Sequence, residues 1–275
     1  MNPTEFEPPV SESELSPEPL QDSTATRQRG LISSVLSPAV RLWLRAQLDH
    51  VEDLQFTVEA GDRQLLSGAI GRVSVSASKA VYRGLHLSQA EVIAENIRTN
   101  LRQVVRGKPL RLLEAFPLVG SVLLSETDLN TSLRSSLLAA GMAEFLLKLL
   151  QAGLDGQSQL THLKARDVWL QDSQIRLGHG NLTLAATLLS AGMPPMPVIL
   201  KTGFCLENGN QLRLDRPQRL THFDDEAGTA IAALDGYTFD LGSSVCFETL
   251  TLEPTQLACK GQVMVMPEEK DEGKG

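Results

Sequence analysis

The chain has little aromatic material: Phe, Trp and Tyr make up 4% of its 275 residues, although 42% of them are hydrophobic. An interior built this way rests on Leu, Val, Ile and Ala, which suits a greasy lining better than an aromatic stacking platform. Cysteine is also scarce. Cys205, Cys246 and Cys259 are odd in number and far apart, so neither a disulfide framework nor a zinc ribbon fits them. They read as reduced thiols within strands, the usual behaviour of free cysteine.

Positive charge is missing as a field. The formal net charge is -8, but it comes from the two ends. Residues 1–26 hold six acids and no Lys or Arg, and residues 268–275 hold four acids against two lysines. Residues 27–267 are therefore electrically balanced, and no domain-wide basic surface exists to hold nucleic acid.

Catalytic signatures are missing too. The five histidines show no i,i+4 pair enclosing a Glu, and there is no G-x-S-x-G elbow and no Walker phosphate loop. His222 lies near Asp224, Asp225 and Glu226, but without the defined spacing a metal requires, so the segment reads as a solvated acidic loop. The expectation is a protein that is not an enzyme and carries no metal or cofactor. The first residues, MNPTEFEPPV, offer no basic end and apolar run of a signal peptide. A cytoplasmic protein is expected.

Residues 1–28 are rich in Glu, Pro and Ser and have too few large apolar side chains to offset chain entropy, so they read as a disordered tail. Residues 268–275 read as a second tail, and residues 29–267 as one domain. Ser37 followed by Pro38 marks a helix start. In that amphipathic helix Arg41 and Arg45 share a face, with Trp43 and Leu44 on the apolar side. Two readings stand: Arg41, Trp43 and Arg45 touch an anionic membrane surface, or the helix packs on a sheet with its arginines solvated. Period-two alternation then marks strands: Leu54, Phe56 and Val58 alternate with polar residues, and Val73, Val75 and Ala77 alternate with serines. Further strands are expected at 168–177, 182–188, 197–206, 211–215, 245–252 and 256–266. Asn208-Gly209 signals a hairpin, and residues 225–234 suggest a short helix.

From Asp128 to Leu150 the pattern changes. Leu129, Leu133, Ala140 and Leu147 fall on one side of a helix, and Leu138, Met142, Phe145, Leu146 and Leu149 on the other. A helix apolar nearly all round is normally buried, and its charges interrupt it too often for a bilayer span. The expected fold class is α+β: a strongly curved antiparallel sheet wrapped around one long buried helix, about 128–150, plus the N-terminal amphipathic helix. Such a fold is a container, and Leu138, Met142, Phe145, Leu146 and Leu149 are its candidate lipid-facing side.

The segment SETDLNTSLRSSLL (Ser125–Leu138) resembles the bacterial LmeA-like family, described as phospholipid-binding. LLSGAIGRVSVSA (Leu65–Ala77), YRGLHLSQAEV (Tyr82–Val92) and GNQLRLDRP (Gly209–Pro217) agree in order, so the resemblance covers roughly residues 35–266. It implies a relative of the tubular lipid-binding proteins, with an apolar cavity between sheet and helix, and no catalytic residues to carry over. Characterised relatives are exported or tethered by an N-terminal segment, whereas this chain begins with an acidic tail, which points to the cytoplasmic face of a membrane. The expected activity is non-enzymatic binding or sequestration of a phospholipid or other acyl-chain ligand at a membrane surface. The rival reading is a structural or scaffold protein acting through protein–protein contacts.

Overall fold

The computed structural model describes residues 41–42, 45–59, 61, 64, 67–104, 106–153 and 164–267. They form two antiparallel sheets. The first carries β1 (Asp53–Glu59), β2 (Ala69–Tyr82), β3 (Leu85–Arg98) and β4 (Phe116–Ser125), and is extended by the last two strands of the chain, β11 (Val245–Glu253) and β12 (Gln256–Val265). Its order is β1-β2-β3-β4-β12-β11. The second contains β5 (Val168–Gly178), β6 (Asn181–Ser190), β7 (Met196–Glu207), β8 (Gln211–Arg219), β9 (Thr229–Ala230) and β10 (Thr238–Asp240). Its order is β10-β8-β7-β6-β5, with β9 beside β8.

The alternation that marks the strands is realised in their burial: in β1, Leu54 is buried, Phe56 and Val58 are half-buried, and the polar residues between them are exposed. Asn208 and Gly209 take positive φ values of 51° and 77° and turn β7 into β8 as the hairpin signal predicts. Residues 225–234 hold β9 and a 3-10 turn at Ala232–Leu234 in place of the expected helix.

The expected fold class does not hold. Among the described residues there is no long helix buried inside a wrapped sheet: the apolar stretch splits into α2 (Glu126–Ser132) and α3 (Ser136–Gly153), following a short α1 (Leu101–Val104). The break has a local cause. Ser132 Oγ donates back to the Asp128 carbonyl at 2.6 Å, and Ser135 Oγ accepts the Leu138 N–H at 3.1 Å, capping a new helix start. α3 is also not apolar all round, because Ala140, Gly141, Glu144 and Lys148 face solvent. Small residues had counted as apolar in the sequence while contributing nothing to burial. Its other sides pack on the second sheet: Leu147 and Leu150 join Val168, Leu188 and Met196, and Leu149 and Phe145 join Leu200, Leu214 and Leu234. Neither sheet closes on itself.

The sheets meet at one end of the first. A core of Leu124, Leu129, Leu133, Leu146, Ile175, Leu177, Leu184 and Leu252 draws on β4, α2, α3, β5, β6 and β11. Two backbone bonds reinforce the junction: Gly180 N–H donates to the Leu252 carbonyl at 2.9 Å, and Phe247 N–H to the Gly209 carbonyl at 2.6 Å. A second core fills the far end of the first sheet, around Ile70, Val73, Ala94, Ile97, Leu101 and Phe116.

Candidate functional site

The segment SETDLNTS is the hinge pin of this arrangement. Ser125 caps α2 through the Asp128 N–H at 3.0 Å, and Asp128 Oδ2 accepts the Ser125 N–H at 3.2 Å and the Ser88 hydroxyl of β3. Partial burial pushes the Asp128 carboxyl up, but the hydrogen bonds from Ser88 and Ser125 outweigh it and hold the group below the usual carboxylate range. Ser132 Oγ accepts the His86 N–H at 2.8 Å. These bonds fasten α2 to the first sheet. Facing the other way, Glu126 Oε2 accepts the Leu177 N–H at 2.8 Å, and Asn130 bonds the backbone of Ile175. Ser125, Glu126, Asp128, Asn130 and Ser132 are thus engaged in bonds that hold α2 between the sheets.

What α2 positions is the first sheet, whose core-side face is apolar from edge to edge. Three ladder rows cross all six strands: Leu54-Ala77-Ala90-Val122-Cys259-Leu250, Phe56-Val75-Val92-Gly120-Gly261-Phe247 and Val58-Val73-Ala94-Leu118-Val263-Val245. No polar side chain enters any row. In the middle row, paired glycines let neighbouring strands close up. A Cβ on Gly120 would sit 2.0 Å from the Glu91 carbonyl oxygen, and one on Gly261 2.6 Å from the Phe247 Cα. Only glycine fits such a close approach.

The two cores cover the ends of this face and leave its middle open. Val92, Phe247, Leu250 and Val245 are half-buried and Val263 is 40% exposed. Among the described residues, none of these five belongs to a core cluster. Burial pushes the Cys259 thiol up, against the opposing bond with the Val122 backbone, so it sits in this face as a neutral, apolar group.

The opposite face of the same sheet is mixed and forms an open trough of about 560 Å³, to which Ile93 and the 37% exposed Val119 contribute. By alternation Gln55, Ser74, Ser76, Glu91, Ser121 and Lys260 face it, with Phe56, Val75, Val92 and Gly120 as its floor. Lys260 is paired with Glu248 at 2.9 Å.

The residues singled out from the sequence fall in different places. Leu146 and Leu149 are 1% and 2% exposed and lie within the packed cores. Leu138, Met142 and Phe145 are half-buried against the junction core, which also contains Val122 and Leu257 of the first sheet. Phe145 makes ring contacts with Phe204 and Phe239, at 6.3 and 5.5 Å between centroids. Arg41 and Arg45 are exposed and helical, while Trp43 lies outside the described residues, as do both predicted tails. Arg41 and Arg45 precede Asp49, which accepts the Gly84 N–H at 2.8 Å, so they stand at the junction end of the first sheet. Around His222, Asp225 Oδ2 accepts the His222 and Thr221 N–H groups at 2.8 and 3.2 Å, closing the acidic loop on itself. Among the described residues no three His, Cys, Asp or Glu side chains gather to hold a metal, and no helix is long and apolar enough to cross a membrane.

Single-strand patterning had indicated the buried face of each strand but not the edge-to-edge apolar surface, which depends on bringing β11 and β12 beside β4. The signal was present in the alternation of Val245–Val265; the pairing was not. Compared with known proteins, residues 28–265, nearly the whole chain, match one family model, LmeA-like phospholipid-binding. No curated protein and no solved structure matches.

Proposed function

The chain belongs to the LmeA-like phospholipid-binding family, and from that premise we propose that it holds phospholipid acyl chains on the apolar face of its first sheet. The observation that carries this reading is the open centre of that face. Three rows of apolar residues and glycine run beneath it, and Val92, Phe247 and Val263 keep part of their surface free of any core. An exposed apolar patch of this kind marks an interaction site. Leu138 and Met142 are half-buried at the junction end, against the core that Val122 of this face also joins. The chemistry is binding without turnover, and the protein works at a membrane surface, taking up or presenting lipid there. Its free thiols, Cys205, Cys246 and Cys259, suit a reducing compartment.

Organic extraction of gently purified protein, followed by mass spectrometry, tests the reading. Phospholipid near one molecule per chain is the expected result. Protein free of lipid that also takes up none from vesicles would remove the reading and favour a scaffold role.

A further inference from the structure

The free end of the first sheet, away from α2 and the second sheet, concentrates positive charge. Between Arg98 and Glu114 the sequence carries Arg98, Arg102, Arg106, Lys108 and Arg111 against the single acid Glu114. Residues 27–267 taken whole are balanced, so this is a local excess set against acids elsewhere in the body. Arg98, Arg106, Lys108 and Arg111 are all exposed. Among the described residues none of the four forms an ion pair.

The loop that carries them is built rather than loose. Asn100 is buried and works as a clamp. Its Oδ1 accepts the Arg111 N–H at 2.7 Å, and its Nδ2 donates to the Pro109 carbonyl at 3.0 Å. Its own N–H donates to the Arg111 carbonyl at 3.2 Å, while Lys108 N–H donates to the Gln103 carbonyl at 3.0 Å. Beneath the loop Leu101, Leu110 and Leu112 join the far core with Phe116 and Val265. At the same end two large apolar side chains stay in water: Leu113 is 58% exposed and Met266 65%. Met266 directly follows Val265, which pairs with Phe116, and Leu113 N–H donates to the Arg98 carbonyl at 2.9 Å. Cations and protruding apolar groups therefore share one tip.

We infer that this tip docks the protein on a membrane rich in anionic phospholipid, with Arg98, Arg106, Lys108 and Arg111 against the headgroups and Leu113 and Met266 entering the acyl boundary. That pairing of charge and apolar anchors is what an anionic interface rewards. The inference rests on the lipid-binding reading above and gives it a direction. The far core lies between this tip and the open middle of the apolar face, so docking here points the strands of the first sheet at the bilayer, with the open face beyond that core. Arg41 and Arg45 stand at the opposite end of the sheet and do not belong to this contact.

Flotation of the full chain with phosphatidylcholine vesicles, with and without phosphatidylglycerol, tests it. The wild type should float only with phosphatidylglycerol and be released as salt rises, because Debye screening weakens the contact. Arg106→Glu with Lys108→Glu should lower partitioning at least about tenfold, with the thermal midpoint and the bound lipid unchanged. Leu113→Gln should lower it several-fold, and Arg41→Glu with Arg45→Glu should leave it unchanged. Equal flotation on neutral vesicles, undiminished flotation of the Arg106/Lys108 variant, or loss only in the Arg41/Arg45 variant would overturn the inference. So would retention on RNA with no vesicle binding. Wild type that carries lipid yet never floats would overturn the docking alone. Wild type that floats but carries no lipid would uphold the tip and remove the reading on which it rests.

Discussion

Asn130 satisfies both backbone groups of Ile175: its Oδ1 accepts the Ile175 N–H at 2.8 Å and its Nδ2 donates to the Ile175 carbonyl at 2.7 Å. Ile175 lies on β5, an edge strand of the second sheet. A side chain of α2 thus caps a free sheet edge, which would otherwise offer a template for pairing. Asn130→Ala leaves the backbone pair unsatisfied, at a cost of about 1–3 kcal/mol. Urea denaturation should show that loss, and light scattering a greater tendency to associate. Unchanged stability would mean that water replaces the amide without cost.

Asp128 gives the fold a dependence on acid. Its carboxyl is held below its unfolded value, so the unfolded chain binds the proton first and stability rises with pH through that window. The contribution is complete above the ordinary carboxylate range and fades as pH falls towards the folded value. Denaturation midpoints of wild type and Asp128→Asn should therefore differ at neutral pH and converge in acid. A constant difference across the range would place the stabilisation elsewhere.

Two glycines should respond in opposite directions. Gly120→Ala forces a Cβ to within 2.0 Å of the Glu91 carbonyl oxygen, and overpacking against backbone costs about 1–3 kcal/mol or more. Gly141 is exposed on α3, and a Cβ there meets nothing within 4 Å. Gly141→Ala should stabilise by about 0.5–1 kcal/mol. Thermal melts of the two variants, moving to either side of the wild type, check both.

Leu146 and Leu147 lie in separate cores, 1% and 3% exposed. Alanine at either position removes buried methyls and leaves a cavity, costing about 2–5 kcal/mol. Both should lower stability and leave bound phospholipid unchanged. Loss of lipid from Leu146→Ala alone, with the fold intact, would return the ligand to the helix.

Most strands were legible in the sequence because one buried face imposes period two, and the Asn208-Gly209 turn because positive φ favours those residue types. The Ser125 cap and the Glu144–Lys148 pair, at 2.7 Å, are equally local: a hydroxyl ahead of a helix and opposite charges one turn apart. The helix was misread where residue size matters more than polarity: Ala140 and Gly141 pass as apolar in a helical wheel but bury nothing. Ser135 caps a new helix in the middle of an apolar run, where the periodicity marks no break. The apolar face and the basic tip were hidden for a different reason. The face depends on long-range pairing of β12 with β4, which no local pattern records; the cations of the tip are close in sequence, but the Thr99–Leu112 bridge and the exposure of Leu113 and Met266 beside them are not written there.

Val263 offers the most direct test of the account. It is 40% exposed, so a charge there keeps contact with water and the fold should tolerate it, whereas an acyl chain lying on the face would meet a desolvated carboxylate. Mass spectrometry of organic extracts should find phospholipid in the wild type and little or none in Val263→Glu, with matching thermal midpoints. Equal lipid in both proteins would contradict the assignment of the acyl chains to the first sheet.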